Sequence, residues 1–252
     1  MVAKRIIPCL DVKGGRTVKG INFEGLRDVG DPVALGRFYS DEGADELVYL
    51  DISASREERS TFTGLVERIA MAINIPFTVG GGISSVDDAS RLLDKGADKI
   101  TINTAAVNNP DIIDKIAAKY GSQFVVVAID ARTQDEGHWW VATHGGRCLT
   151  QRRLYDWARE AQDRGAGEIM FTSMDHDGTR IGYPCTVFAR LALDLSVPII
   201  ASGGAGSVED IADVLTLGKA DAALAASIFH YGEVSIRRLK EDLNDLGIKV
   251  RL

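Results

Sequence analysis

The sequence feature that most constrains the fold is an internal repeat relating the first half of the chain to the second. GADELVYLDIS (43–53) aligns with GAGEIMFTSMD (165–175), and at the same offset FTVGGGISSVDD (77–88) aligns with IIASGGAGSVED (199–210). The alignment pairs Glu46 with Glu168, Pro76 with Pro198, Gly81 with Gly203, Gly82 with Gly204 and, after a one-residue slip, Thr104 with Ser227. Such a chain is expected to fold as two copies of one arrangement of strands and helices.

Short apolar runs alternate with helical patterns and predict eight strand–helix units, four in each half. Runs such as QFVVVAI lack polar alternation, which indicates parallel strands buried on both faces. The strand candidates are 5–10, 46–51, 76–80, 98–103, 124–129, 168–173, 198–202 and 221–226. Eight units in 252 residues predict one α/β domain spanning residues 1–252, a (β/α)8 TIM barrel with a two-fold half-barrel repeat. A doubly wound open sheet is the competing architecture, but it has no obvious place for a repeat of four units.

Composition argues against several classes of function. The formal net charge is −7 without a basic block, so we expect no nucleic-acid or membrane partner. No apolar run reaches the length of a membrane span, and the N-terminal segment lacks a signal-peptide pattern. The sparse cysteines Cys9, Cys148 and Cys185 indicate reduced thiols and a cytoplasmic location. The histidines lack metal-ligand spacing, so we expect no metal and no cofactor.

The two glycine turns predict anion sites at the carboxyl ends of the strands, where (β/α)8 barrels carry their chemistry. Glycine lets backbone N–H groups approach an anion, and the helix N-terminus beyond it adds a favourable dipole. Ser85 and Ser207 resemble helix N-caps just after the glycines, and Thr104 and Ser227 end the next strand in each half. Two related cradles predict a long substrate with a phosphate at each end. The alternative is that glycine only permits a tight turn.

Two aspartates each end an apolar run, Asp11 in IIPCLDV and Asp130 in VVVAIDA. Strands 1 and 5 are opposite in an eight-stranded barrel, so the pair predicts a general acid and a general base. The competing interpretation is that each carboxylate caps the loop that follows it. In DHDGTRIGY (175–183), Asp177 and Gly178 are candidates to support the second phosphate site.

Further charged residues occupy the first loop and the starts of strands. The loop at 13–30 is rich in glycine and cations and predicts a flexible lid in which Lys19 contacts an anionic substrate. A solvated surface loop is the alternative. Four charged residues stand near strand starts and predict a structural plug of ion pairs at the opposite end of the barrel: Arg5, Glu46, Lys99 and Glu168.

Taken together, these segments resemble the cyclase subunit of imidazole glycerol phosphate synthase, from histidine biosynthesis. The resemblance spans essentially the whole chain, through AKRIIPCLDVKGGRTVKGINF, ADELVYLDISAS, IPFTVGGGI, GADKITINTAAV, GAGEIMFTSMDHDGT, PIIASGGAG and ADAALAASIFH. It implies a lyase that uses ammonia from a partner glutaminase, docked on the N-terminal face of the barrel. The implied substrate is the linear bisphosphate phosphoribulosyl-formimino-aminoimidazole-carboxamide ribonucleotide. The implied products are imidazole glycerol phosphate and aminoimidazole-carboxamide ribonucleotide.

The resemblance also implies roles for individual residues. Asp11 and Asp130 match the catalytic aspartates, and Lys19 matches the lid lysine. The residues that match the two phosphate sites are Gly82, Asn103 and Thr104 for one, and Asp177, Gly178, Gly204 and Ser227 for the other. Arg5, Glu46, Lys99 and Glu168 match a charged gate that admits ammonia, with Thr78 and Asp98 as further lining of the passage. The resemblance therefore revises the interpretation of these four residues, from a purely structural plug to a plug that opens.

Three positions depart from the commonest family pattern. His176 replaces a frequent arginine, Pro184 a usual aspartate and Gln151 a frequent glycine. They lie around strands 5 and 6 and the second phosphate site, so they bear on substrate grip. Three alternatives stay open: an Amadori-type phosphoribosyl isomerase of the same barrel family, a non-catalytic scaffold and a role in sugar amination. The strand 1 text CLDVKGGRTVKG favours the cyclase over the isomerase.

Overall fold

Parallel strands alternate with helices along the chain, as the repeat predicts. The computed structural model describes residues 2–21, 24–52, 56–135 and 137–252. Its strands are β1 (Arg5–Lys13), β2 (Arg16–Ile21), β3 (Glu24–Gly30), β4 (Leu47–Asp51), β5 (Phe77–Gly80), β6 (Lys99–Ile102), β7 (Val125–Asp135), β8 (His138–Thr143), β9 (Cys148–Arg153), β10 (Glu168–Ser173), β11 (Ile199–Ser202) and β12 (Ala222–Ala225). All eight predicted strands are present. Their hydrogen-bonded order runs β1, β4, β5, β6, β7, β10, β11, β12 and returns to β1, with β7 also pairing with β10, so the fold is the predicted (β/α)8 barrel.

The helices follow the strands along the chain. They are α1 (Pro32–Asp41), α2 (Arg56–Ala70), α3 (Val86–Asp94), α4 (Thr104–Asn108), α5 (Asp111–Tyr120), α6 (Leu154–Asp163), α7 (Cys185–Asp194), α8 (Val208–Thr216), α9 (Ser227–His230) and α10 (Ile236–Asp245), with a 3-10 turn at Ser122–Phe124. Within the described ranges, no helix combines the length and apolar character needed to cross a membrane.

One compact unit contains the chain up to Thr101 together with Ala225–Leu252. Its parallel strands are β1, β4, β5 and β6, and its core includes the fully buried Ile6, Leu47 and Ile100. Burial of each such side chain contributes about 2 kcal/mol. The C-terminal helix α10 is held to this unit by Lys240, which is 2% exposed and lies 2.8 Å from the Asp45 carboxylate.

The second compact unit is Ile102–Leu224. Its parallel strands are β7, β10, β11 and β12, and helices α6 and α7 bring aromatic side chains into its core. The ring centroids of Phe171 and Phe188 lie 4.9 Å apart, and Trp139 meets Phe171 edge-on at 5.5 Å. That the whole chain forms one domain stays a prediction.

The same glycine turns and the same hydrogen bonds at strand starts recur in the two units and confirm the repeat. Gly81 has φ +98°, and a Cβ there would overlap the carbonyl oxygen of Asp51. Its equivalent Gly203 has φ +85°, and a Cβ would meet the Ser173 carbonyl in the same way. Only glycine fits both requirements, because a side chain is strained at positive φ and has no room. Strand starts match as well: Phe77 N donates to Asp98 at 3.0 Å and Ile199 N donates to Asp221 at 3.0 Å.

Two antiparallel hairpins are additions that the sequence analysis missed. The prediction of a flexible loop at 13–30 is wrong for residues 16–21 and 24–30, which form β2 and β3 as a ribbon continuing β1. The alternation in RTVKGI places Thr17 inside, fully buried, while the exposed guanidinium of Arg16 pairs with Asp28 at 2.9 Å. Likewise β8 and β9 extend β7 by antiparallel pairing. Glycines and charges in these segments resembled loop composition, whereas each hairpin is stabilised by pairing with the end of the strand that precedes it.

Candidate active site

In the first unit, Asp11 lies near the end of β1 with a side chain that is almost enclosed. The residue is 7% exposed, and β1 pairs with β2 so that Asp11 faces Val18 across the ribbon. The next residue, Lys19, brings its ammonium to 3.7 Å from the Asp11 carboxylate. The predicted lid lysine and the predicted catalytic aspartate are therefore neighbours, held by a regular strand pairing.

A buried tyrosine–histidine pair in the same unit escaped the sequence analysis. His230, at the end of α9, places Nδ1 2.6 Å from the hydroxyl of Tyr39 on α1. Burial and, to a smaller extent, the nearby charge of Lys19 together lower the pKa of His230 to about 4, against a hydrogen bond with the backbone of Cys9 that raises it. The ring is thus neutral at physiological pH. No local sequence signal reveals the pair, since its members are 191 residues apart.

In the second unit, Asp130 lies on β7 with intermediate exposure and among polar side chains. Asn103 donates an amide hydrogen bond of 2.9 Å to its carboxylate. Burial, followed by the charge of Asp177, raises the pKa of Asp130 to about 6, against hydrogen bonds from Thr172 and Asn103 that lower it. The result is a carboxyl group that exchanges its proton near neutral pH, which suits a general acid or base. Thr172 was not predicted, although it stands opposite Asp130 in the β7–β10 ladder.

The turn after β10 carries the residues predicted for the second phosphate site. Asp177 donates its backbone N–H to the carbonyl of Ser173 at 2.9 Å, and Gly178 follows at φ +74°. His176 is tied to the same strand end, because its Nδ1 lies 2.7 Å from the Ser173 hydroxyl. Asp175 accepts hydrogen bonds of 2.8 Å from the backbone and side chain of Thr133. These contacts give the turn a defined shape.

The glycine turns lead into capped helices, as the sequence predicts. Gly82 has φ +66° and precedes α3, whose N-cap Ser85 accepts from Asp88 N at 3.1 Å. Gly204 has φ +127° and precedes α8, where Ser207 forms a capping box with Asp210. The predicted hydroxyls begin the next short helices: Thr104 starts α4, and Ser227 starts α9. Thr104 already accepts a hydrogen bond of 2.9 Å from the backbone of His144, on the β8–β9 turn.

Three of the four predicted gate residues meet around one buried carboxylate. Glu46 is 2% exposed and accepts from Arg5 and from Lys99, each at 2.9 Å. The hydroxyl of Thr78 donates to the other oxygen of Glu46 at 2.7 Å. The fourth member, Glu168, begins β10 in the second unit. Asp98 is exposed and accepts from the backbone of Phe77, so its repeated role is to fix a strand start.

Among the described residues, no group of three His, Cys, Asp or Glu side chains converges as a metal site requires. The candidate site offers carboxylates, an ammonium, amides and backbone N–H groups. This set is suited to proton transfer and anion binding.

Comparison with known proteins identifies the family. Residues 5–235 match the model of the family described as histidine biosynthesis protein. The chain is 59% identical over 252 residues to the imidazole glycerol phosphate synthase subunit HisF of Phocaeicola vulgatus, with both chains covered completely. It is 58% identical over 252 residues to the subunit of that name from Flavobacterium johnsoniae, again with complete coverage. The chain belongs to the HisF family of imidazole glycerol phosphate synthase subunits.

The three departures from the common HisF pattern have identifiable places. His176 bonds to Ser173 as described above, and Pro184 occupies the N-cap of α7. Gln151 is exposed on β9. Of the three, His176 alone touches the strand end that supports Asp177, so it has the most direct link to the candidate site.

Proposed function

We propose that the protein is the ammonia-dependent cyclase subunit of imidazole glycerol phosphate synthase. It converts phosphoribulosyl-formimino-aminoimidazole-carboxamide ribonucleotide to imidazole glycerol phosphate and aminoimidazole-carboxamide ribonucleotide. Support comes from relatives that carry this enzyme name and match over the full chain at 59% and 58% identity. A single domain of residues 1–252, located in the cytoplasm, belongs to the same proposal.

The observation that carries the proposal is the environment of Asp130. A carboxyl group with a pKa of about 6 both accepts and returns a proton at the pH of the cell. The proposed chemistry needs such a group, because ring closure and bond cleavage require several proton transfers. Asp11 serves as acid and base while ammonia attacks the ketone of the substrate, and Asp130 assists the cleavage and cyclisation that follow.

Substrate binding in this proposal uses the repeated turns. One phosphate is held by Gly82, Asn103 and Thr104. The other is held by residues that follow strands in the later part of the chain: Asp177, Gly178, Gly204 and Ser227. Positive φ angles at Gly82 and Gly204 support these assignments, since this backbone conformation favours glycine, whose backbone an anion can approach closely. The ammonium of Lys19, on the β2–β3 ribbon, contacts the anionic substrate.

The proposed partner is a glutaminase subunit that docks where the strands begin and supplies ammonia through the gate of Arg5, Glu46, Lys99 and Glu168. Exposed apolar side chains at this end of each unit support a docking face. In the first unit Val2 precedes β1 and Met71 follows α2, at 87% and 77% exposure. In the second unit Leu193 and Leu217 lie at the ends of α7 and α8, at 76% and 65% exposure. Contiguous exposed apolar patches mark protein interfaces, and in this proposal these side chains contribute to such a patch.

The deciding experiment follows loss of the linear bisphosphate by purified protein with ammonium salt and no partner. Turnover is expected for the wild-type chain, and Asp11→Asn and Asp130→Asn should each lower it about a hundredfold to ten-thousandfold. Arg16→Gln, on the exposed face of the ribbon, is the matched control and should retain turnover. A folded wild-type protein that binds the substrate without converting it contradicts the proposal, and the isomerase substrate is then tested in the same assay.

A further inference from the structure

A buried tyrosine in the second unit connects the turn after β10 to β12. Tyr183 is 7% exposed, and its hydroxyl donates to the backbone carbonyl of Leu224 on β12 at 3.0 Å. Its ring meets the fully buried ring of Phe188 edge-on, with the centroids 6.2 Å apart. Burial, followed by the charges of Asp210 and Asp177, raises the pKa of Tyr183 far above its ordinary value. The hydroxyl therefore keeps its proton and remains a hydrogen-bond donor.

The residue before this tyrosine connects the same turn to the end of β11. Gly182 donates its backbone N–H to the carbonyl of Gly204 at 3.0 Å. A Cβ at Gly204 would lie 2.2 Å from the carbonyl oxygen of Gly182, so the two backbone segments are in direct contact. A Cβ at Gly182 would approach the Asp210 carboxylate to 2.9 Å. That carboxylate accepts from two backbone N–H groups just before α8, each at 2.9 Å. Gly182 is thus packed against the turn between β11 and α8.

The segments that Tyr183 and Gly182 hold together are those that carry the second proposed phosphate site. The turn after β10 contains Asp177 and Gly178. The end of β11 leads to Gly204, and the end of β12 leads to Ser227. A phosphate that is bound by several short loops at once requires these loops to keep fixed positions. The Tyr183 hydroxyl is itself occupied by a backbone carbonyl, so its contribution is to position backbone.

We propose that Tyr183 is the positioning residue of the second phosphate site, holding the turn after β10 against the ends of β11 and β12. This inference rests on the proposed cyclase function. In it, Tyr183 acts through the backbone and contacts neither the phosphate nor the reacting atoms. Loss of its hydroxyl therefore weakens the binding of one phosphate and leaves the chemical step intact. Such a change raises KM without lowering kcat, because the phosphate is bound alike before and during the reaction.

The test uses the two products, because each of them carries one of the two phosphates of the linear substrate. Isothermal titration calorimetry measures the Kd of each product for wild-type protein and for Tyr183→Phe, which keeps the ring and removes the hydroxyl. Ser227→Ala identifies the product whose phosphate occupies the second site, and Thr104→Ala identifies the other product. We expect Tyr183→Phe to raise the Kd of the product identified by Ser227→Ala about fivefold, as loss of one hydrogen bond implies. The Kd of the other product should stay unchanged.

Steady-state kinetics with ammonium salt provide a second measurement. In Tyr183→Phe, the KM for the bisphosphate should rise about fivefold while kcat stays within about twofold of wild type. Tyr49→Phe is the matched control, because the fully buried Tyr49 also donates its hydroxyl to a backbone carbonyl, that of Pro32 at 3.2 Å. Thermal unfolding should show folded protein and a similar loss of stability in both variants. Only Tyr183→Phe should change a product Kd or the KM.

Each outcome decides between clear alternatives. Unchanged Kd values for both products in Tyr183→Phe overturn the inference, because the tyrosine then serves packing alone. Equal weakening of both products, or the same weakening in Tyr49→Phe, also overturns it, because the effect is then general. A fall in kcat without a rise in KM overturns it by placing Tyr183 in the chemical step. Wild-type protein that binds both products but does not convert the bisphosphate would refute the proposed function, while the titrations would still decide the role of Tyr183.

Discussion

Asp130→Asn is expected to stabilise the protein while it removes activity. The pKa of Asp130 is raised from 3.8 to about 6, mainly by burial, so the folded chain holds this proton more tightly than the unfolded chain does. A group of this kind contributes stability below pH about 4, and the contribution is lost as pH rises through about 6. Each tenfold change in an ionisation constant corresponds to about 1.4 kcal/mol, so the charged carboxylate costs about 3 kcal/mol at pH 8.

The assay is urea unfolding of wild-type and variant protein between pH 5 and pH 8.5. Asparagine removes the charge and keeps an acceptor for the Asn103 amide. We expect the variant to be more stable by about 3 kcal/mol at pH 8 and by about half as much near pH 5, where the wild-type carboxyl is largely protonated. Asp163→Asn, at the exposed end of α6, is the control and should change stability by less than about 0.5 kcal/mol at every pH.

Two results would refute this reasoning. If the variant is less stable than wild type at pH 8, the charged carboxylate of Asp130 is a net stabilising group in the wild-type protein. Its hydrogen bonds would then outweigh the cost of burial. A gain of the same size at every pH would mean that the substitution acts through packing, because only a titrating group produces pH dependence between about 4 and 6.

Three other predictions address backbone, ion pairing and pH. Gly81→Ala should destabilise the protein by more than about 2 kcal/mol, because the new Cβ meets a backbone carbonyl at a residue whose φ is positive. Gly64→Ala, in the open space around α2, should instead stabilise the protein by about 0.5–1 kcal/mol. Urea unfolding measures both changes. Lys240→Met should cost about 2 kcal/mol, because Asp45 loses its buried ammonium but keeps the ion pair with Arg251 at 3.1 Å, and adding Asp45→Asn should recover part of that loss. At a constant concentration of free ammonia, kcat/KM should fall below pH about 6 as Asp130 takes up its proton, and a profile flat from pH 5 to 8 would contradict its role as a base.

Sequence reasoning succeeded where a local pattern determines the structure. Apolar runs without alternation identified the parallel strands, and the serines after the glycine turns identified the helix starts at Ser85 and Ser207. The repeat was recoverable because Gly81 and Gly203 each meet a strand-end carbonyl that no other residue type accommodates. These features depend on neighbours in sequence or on a backbone conformation specific to one residue type.

It failed where the structure depends on pairing and enclosure that composition does not show. The ribbon of β2 and β3 is stabilised by the edge of β1, so its composition alone resembled a loop. The pKa of Asp130 depends on enclosure and on Asp177, neither of which can be read from VVVAIDA. The bond between Tyr39 and His230 joins residues from opposite ends of the chain. Such contacts form only once the chain has folded, and no sequence motif marks them.

The two units share their backbone devices but give their aspartates opposite electrostatic surroundings. Asp11 has the ammonium of Lys19 at 3.7 Å, whereas Asp130 is raised in pKa by burial and by the carboxylate of Asp177. A carboxylate next to a cation is favoured in its charged form, and one that is buried next to an anion is favoured in its protonated form. Pairs of titratable groups whose environments differ in this direction are the ones that divide acid and base roles. Duplication of a half-barrel therefore explains the repeated glycine turns, while the proposed chemistry requires that the halves diverge around β1 and β7.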